Sequence, residues 1–264
     1  MARRAYLGYR GDDAGTAFAG FFDPRMAPLP GHVVDALHHG PQADQVLPGF
    51  DCAAKLLDEG YQQTETGYGR QPDGGFVVSV RTDMPGVSPA MWDWWFGWHG
   101  SDTRRYKLWH PRAHASARWA DGGGDGHYLG RTSLIEEYLG SSYARAAIRF
   151  VRPAELGLTG PRLAHSVAVC ARLGSAELPV DIGWFVHHVR ATPEGAEMRS
   201  RFWMGGQHIA VRRGNRLSDS LIRPVATRQL PDPRDLLVHC AQEMNHLAGF
   251  LAQLYARFSS TPEA

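Results

Sequence analysis

In the last third of this 264-residue chain, His239 and Glu243 stand four residues apart within DLLVHCAQEMNHLAGF. A helix turns about 100° per residue, so positions four apart share a face and both side chains can reach one point. An apolar stripe runs through the same segment: Leu236, Cys240, Met244, Leu247, Leu251, Leu254 and Phe258 recur at three- and four-residue steps. With Cys240 at the centre of that stripe, Glu243 lies about 60° and His239 about 100° away on the same side. Glu243 therefore falls at the edge of the buried face, where an unpaired carboxylate is costly. A divalent cation would offset that cost. So would a hydrogen bond from a Tyr or Arg, and an exposed His/Glu pair would need neither.

Further ligands would have to come from strands. His110 and His114 lie in YKLWHPRAHASARW, and Glu136 and Glu137 in SLIEEYLG. Strand side chains alternate, so only one of the two glutamates faces a cavity, and Leu134 and Ile135 leave the choice open. Two histidines with two carboxylates suit zinc, and carboxylates also suit manganese or iron. His187 and His188 are adjacent in GWFVHHVR, so one points in and the other out. An inward His beside a metal would serve as a proton shuttle; the plain alternative is a surface His next to a satisfied core His. Tyr106 in DTRRYKLW could donate to a substrate oxygen or simply pack. Glu197, Arg199 and Arg201 alternate on one strand face, the usual pattern of a solvated set of cross-strand ion pairs. Four of the eight tryptophans fall between Trp92 and Trp98, a cluster more typical of core than of a ligand pocket. No Gly-x-Ser-x-Gly elbow and no phosphate-binding glycine loop before a helix is present.

These residues need elements to hold them. Asp232 with Pro233 begins a helix that the stripe carries to about Phe258. Before it come strand-like segments: GGFVVSVRTDM, AHASARWA, GHYLGRTSLIEEYLG, ARAAIRFVRP, HSVAVCARL, and IGWFVHHVR with EMRSRFWMG around a hairpin ATPEGA. The fold class expected is α+β, with a curved antiparallel sheet around a long C-terminal helix and a cavity between them. Residues 1–70, rich in Gly and Pro, read as an irregular to helical N-terminal segment, and 71–260 as the core, within a single domain over 1–264.

Composition narrows the partners. Lys and Arg total 28 against 27 Asp and Glu, a formal charge of +1 that gives no ground for a nucleic-acid or membrane-surface partner. Cys52, Cys170 and Cys240 form no CxxC pair and no even disulfide framework. The start, MARRAYLGYRGDDAG, lacks the apolar run of a targeting segment, and no stretch approaches the roughly 20 apolar residues of a membrane helix. A cytoplasmic protein is expected.

In order, MWDWWFGWHGSDTRRYKLWHPRAH, EEYLG, HHVR…EGAEMRSRFWMG and HCxxE on the last helix resemble the diacetylphloroglucinol hydrolase family. The resemblance implies a helix-grip fold, like START and birch-pollen-allergen domains. It also implies a zinc-dependent enzyme that hydrolyses the carbon–carbon bond between an acyl group and a polyhydroxylated aromatic ring, releasing a carboxylic acid such as acetate. By the same resemblance one zinc per chain would be held by His114, Glu137, His239 and Glu243. Tyr106 would bind substrate and His187 would move the proton. The chain departs from the family pattern at Ala117, where an Asn stands in the family, and it lacks a second substrate-contacting Tyr near Phe202 and Trp203. The implied partner is a small aromatic acyl-phenol, with a homodimer left open. Two other readings compete: a non-catalytic carrier of aromatic ligands, and a metal-dependent cyclase or aldolase-like enzyme on the same scaffold.

Overall fold

The structure, a computed structural model, describes residues 6–228 and 230–259. Met1–Ala5, which begin the stretch read for a targeting segment, lie outside the described residues, as do Gln229 and Ser260–Ala264 at the end of the expected core.

Nine strands of the described residues form one sheet, antiparallel throughout. They are β1 (Gly67–Arg70), β2 (Phe76–Pro85), β3 (His114–Trp119), β4 (Thr132–Leu139), β5 (Ser142–Val151), β6 (Ser166–Ser175), β7 (Val180–Thr192), β8 (Gly195–Met204) and β9 (Ala210–Val211). Their order is β1-β2-β8-β7-β6-β5-β4-β3, with β9 on β7. Strands β3 to β8 are thus a continuous meander, and the β1–β2 hairpin closes its far edge. The β7–β8 turn forms at the expected ATPEGA, with Thr192 opposite Gly195. Gly195 is required there: its φ is 154°, and a Cβ would lie 2.5 Å from the Met84 carbonyl oxygen of the neighbouring strand. Strand β1, in the glycine-rich GYGR, starts the sheet at Gly67, four positions earlier than residue 71.

The helices are α1 (Gly31–His39), α2 (Pro89–Trp98), α3 (Thr103–Trp109), α4 (Arg216–Thr227), α5 (Pro233–Ala248) and α6 (Leu251–Phe258). Asp232 caps α5 as expected, its carboxylate accepting from the Arg234 amide at 2.8 Å. Helix α5 packs against β1 and β2 and also against β4, strands near the two ends of the order, so the sheet must curl around it. That is the helix-grip arrangement. The helix expected to run unbroken to Phe258 instead divides at Gly249–Phe250. There the amides of Gly249 and Phe250 turn back to His246 and Leu247, three residues behind rather than four. Phe250 leaves the helical region at φ −136°, its ring packing near Phe21 and His246. The stripe survives the break, since Leu236 through Leu254 are all buried.

On the face of the sheet away from α5, residues 47–65 of the N-terminal segment form a second layer, while Phe18 and Val33 before them join the core around α5. Leu47, Ala53 and Leu56 pack there against Val77, Val186 and Trp203, whose indole N–H donates to the Pro48 carbonyl at 2.8 Å. This cover overturns the expectation of a solvated charged face on β8. Glu197, Arg199 and Arg201 do share one face, but all three are buried. Glu65 bridges both arginines, at 2.6 Å to Arg199 and 2.5 Å to Arg201, and Arg190 pairs with Glu197. Those two pairings drive Glu65 down to about 2 against the opposing effect of burial. The tryptophans follow expectation: Trp92 and Trp95 are fully buried and pack with Trp98 and Trp109 in the main core.

Candidate metal centre and its cavity

Between β4–β8 and α5 lies a cavity of about 680 Å³, and its wall carries Tyr106, Glu137, His187, His239 and Glu243. A one-residue irregularity in the β3–β4 pairing decides which glutamate faces it. Ala117 pairs with Ile135 and Ser116 with Glu136, yet His114, not Ala115, stands opposite Glu137. Ala115 is the extra residue of a β-bulge, and it turns His114 to the inner face. Glu137 shares that face with Ile135 and Ser133 on β4, and all three line the cavity. Glu136 points the other way, accepting from Ser116 at 3.1 Å and Tyr143 at 2.9 Å, and pairing with Arg145.

Four side chains converge at the cavity wall. Oε2 of Glu243 lies 3.3 Å from Nε2 of His114 and 3.6 Å from Nε2 of His239. Oε2 of Glu137 lies 3.6 Å and 3.5 Å from the same two nitrogens. The ligand atoms of His114, His239 and Glu243 all lie within 4.8 Å of one another. Tetrahedral ligands at about 2.1 Å from an ion stand about 3.4 Å apart, so the spacing fits a small divalent cation. His114 adds a second test. Its Nδ1–H donates to the Tyr106 carbonyl at 2.9 Å, so Nε2 carries the lone pair, and that buried atom has no hydrogen-bond partner. The Tyr138 carbonyl likewise accepts from the His239 ring, whose Nε2 faces the carboxylates.

The electrostatics describe two carboxylates short of positive charge. Burial, reinforced by Glu137, pushes Glu243 up to about 8. Burial alone would lower His239, but Glu137 and Glu243 carry it up to about 9. His114 is pushed far down by burial and by the neighbouring His239 and His110. Glu137 stays below the usual range because His239 and the Tyr106 hydroxyl outweigh its burial.

The other expected residues fall as follows. Tyr106 stacks on His114 at 3.7 Å between centroids, and its hydroxyl donates to Oε2 of Glu137 at 2.5 Å. His187 lines the cavity, stacked on Phe96, with Nδ1 2.7 Å from the Ser200 hydroxyl. Burial alone brings it down to about 3, so its resting form is neutral. His188 does point to the opposite face, but it is not a surface residue: the outer layer buries it, with Nε2 3.1 Å from Ser166 Oγ. His110 stacks on His239 at 4.9 Å without lining the cavity. Phe202 lines the cavity with a bare ring, and Ala117 faces the same side as Ile135. The Trp92–Trp98 run contributes only Phe96 to the wall. Sequence reasoning passed over His99, Trp109 and Ser133, which also line it. Ser133 was within reach of alternation once Glu137 was placed inward; nothing local marked His99.

Exchanging the two adjacent glutamates for glutamine should separate them. Glu136→Gln is expected to leave metal content unchanged and stability within about 0.5 kcal/mol, whereas Glu137→Gln should weaken metal binding at least about tenfold. Equal metal content in both variants, by elemental analysis, would contradict the inward assignment of Glu137.

Fold and site together define a helix-grip protein whose cavity opens onto a buried cluster of two histidines and two carboxylates. Residues 47–256 match the family described as DAPG hydrolase PhiG domain, and the chain belongs to that family. It is 30% identical to the 2,4-diacetylphloroglucinol hydrolase of Pseudomonas protegens, over 94% of this chain and 86% of that one. It is also 30% identical to the phloretin hydrolase of Eubacterium ramulus, over 91% of this chain and 90% of that one. A START superfamily protein from Mycobacterium smegmatis aligns over 67% of this chain and 98% of its own, at 10% identity and a TM-score of 0.36. No helix among the described residues is long and apolar enough to cross a membrane.

Proposed function

We propose that this chain is a metal-dependent hydrolase of acylated polyhydroxyphenols, cleaving the carbon–carbon bond between ring and acyl group. The observation that carries this is the unpartnered, buried Nε2 of His114, facing Glu137 and Glu243 on the wall of a deep cavity. A passive carrier would need neither that cluster nor an inward histidine. The named activities of the relatives point the same way. Zinc is the metal proposed, held by His114, Glu137, His239 and Glu243. When bound, it supplies Lewis acidity, polarising an oxygen or lowering the pKa of water to roughly 7.

The reaction adds water across the aryl–acyl bond. The water oxygen bonds to the acyl carbon, the electron pair of the broken bond returns to the ring, and that ring carbon takes a proton. Hydroxyls ortho and para to the acyl group let the ring protonate as its keto tautomer before the bond breaks. His187 suits this proton transfer because burial disfavours its charged form. Once protonated it gives the proton up readily, even to carbon. Tyr106 holds Glu137 in place, and its hydroxyl on the cavity wall is the group proposed to meet a phenolic hydroxyl of the substrate.

The test is elemental analysis of the purified protein, followed by incubation with a panel of acylated phloroglucinols. Stoichiometric metal and release of the carboxylic acid, seen by mass spectrometry, are expected. Metal-free active protein would refute the metal dependence, and no acid from any member would refute the reaction.

A further inference from the structure

The cavity has a closed end and an open one. At the open end Ser142, Arg145, Glu177 and Arg228 line it and are exposed. At the other, Phe96, His99, Ser133 and Phe150 are buried. Along β4 the inward residues run from the mouth inward as Leu139, Glu137, Ile135, Ser133. The metal cluster therefore lies between mouth and closed end, and Ser133 stands about 13 Å deeper along the strand.

The closed end holds polar atoms that the fold leaves unused. Ser133 is 2% exposed, and its hydroxyl has no hydrogen-bond partner. The Trp109 indole N–H is also buried without a partner. The His99 Nδ1–H donates to the Trp95 carbonyl at 2.8 Å, so Nε2 is a lone-pair acceptor. Burial, with Arg105 adding to it, takes His99 down to about 4 and keeps that lone pair available. The rings of His99 and Trp109 lie 5.1 Å apart. Gly100 brings this wall toward Ser133: a Cβ there would lie 2.5 Å from the Trp119 ring, and Trp119 pairs with Ser133. Buried polar atoms in native proteins are nearly all satisfied, so two such orphans and a free acceptor in one apolar recess mark a place for a ligand's polar group.

We propose that His99 and Ser133, with the Trp109 N–H, form a second polar subsite that binds the ring hydroxyl para to the acyl group. This rests on the acylphenol reading above. An acyl carbonyl at the metal cluster directs the ring inward and its para substituent into the closed end. The hydroxyl donates to Nε2 of His99 and accepts from Ser133. The acyl chain points back past Leu139 to the mouth, so chain length is loosely restricted while the para position is tightly read.

The experiment compares kcat/KM for monoacetylphloroglucinol and its para-O-methyl ether in the wild type, Ser133→Ala and His99→Phe. Intrinsic reactivity differences cancel when the ratio is compared across enzymes. The wild type should prefer the free hydroxyl, and each variant should lower that preference about tenfold with metal content unchanged. An undiminished preference in both variants would overturn the subsite while leaving the hydrolase reading intact. If the wild type hydrolyses neither compound, that reading fails first, and calorimetric Kd values for phloroglucinol still decide the subsite. A Kd raised about tenfold in Ser133→Ala supports it, and an unchanged Kd overturns it.

Discussion

Replacing His239 by alanine is expected to remove metal and activity together. The substitution deletes one of two nitrogen donors and leaves Glu137 and Glu243 facing an uncompensated, buried position. Activity should fall on the order of 10³-fold or more, since the polarising ion goes with the side chain. The wild-type counterpart is a proton count. In the metal-free protein Glu243 is protonated up to about 8 and His239 up to about 9. A cation requires the carboxylate and the neutral imidazole, so binding at neutral pH must displace a proton from each. Apparent affinity should therefore climb as pH rises and level off above about 9. Calorimetry in buffers of different ionisation enthalpy measures the release. Binding without proton release, or a His239→Ala protein that retains stoichiometric metal, would contradict the cluster.

The second large effect is expected at His187. His187→Ala should keep its metal, because the ring meets Phe96, Phe185, Phe202 and Ser200 and none of the four clustered ligands. Turnover should drop about 10²- to 10⁴-fold, the usual contribution of a positioned proton-transfer group. Substrate affinity should change little by comparison. A variant that loses metal as well would make His187 part of the metal site rather than the proton carrier.

How much of this was legible in the chain depended on how local each determinant is. His239 and Glu243 sit on one helix, so the four-residue step alone brought them together, and the stripe through Cys240 gave the side they face. The Asp232–Pro233 start was equally local. Strand alternation alone did not separate Glu137 from Glu136, because Leu134 and Ile135 offer an apolar neighbour on either face and Ala115 shifts the partner strand by one; only the family resemblance singled out Glu137. On β8 the alternation of Arg199 and Arg201 was correct and their environment was not. Their partner Glu65 lies 134 and 136 positions away, beyond any pattern visible in the strand. Gly249 was a local hint of the helix break, outweighed by a stripe that continues across it. The second polar end of the cavity left little trace: alternation from Glu137 reaches Ser133, but His99 acquires meaning only from what surrounds it.

The bulge at Ala115 has a consequence for how this chemistry can be gained or lost. Trp119, Ala117 and Ile135 keep their places on the inner face whatever happens beyond Ser116, because their register is set on the other side of the extra residue. The reading frame of β3 is therefore separate for packing and for ligation. Pairing Ala115 with Glu137 in regular register would turn His114 to the outer face without disturbing a core pair, whereas deleting Ala115 would leave the histidine opposite Glu137 by ordinary alternation. A lineage whose β3 lost the bulge at unchanged length would keep the barrel-like wrap and its cavity while dropping one corner of the cluster. Presence of the fold is thus a weaker indicator of hydrolysis than the register that sets a histidine of β3 opposite Glu137.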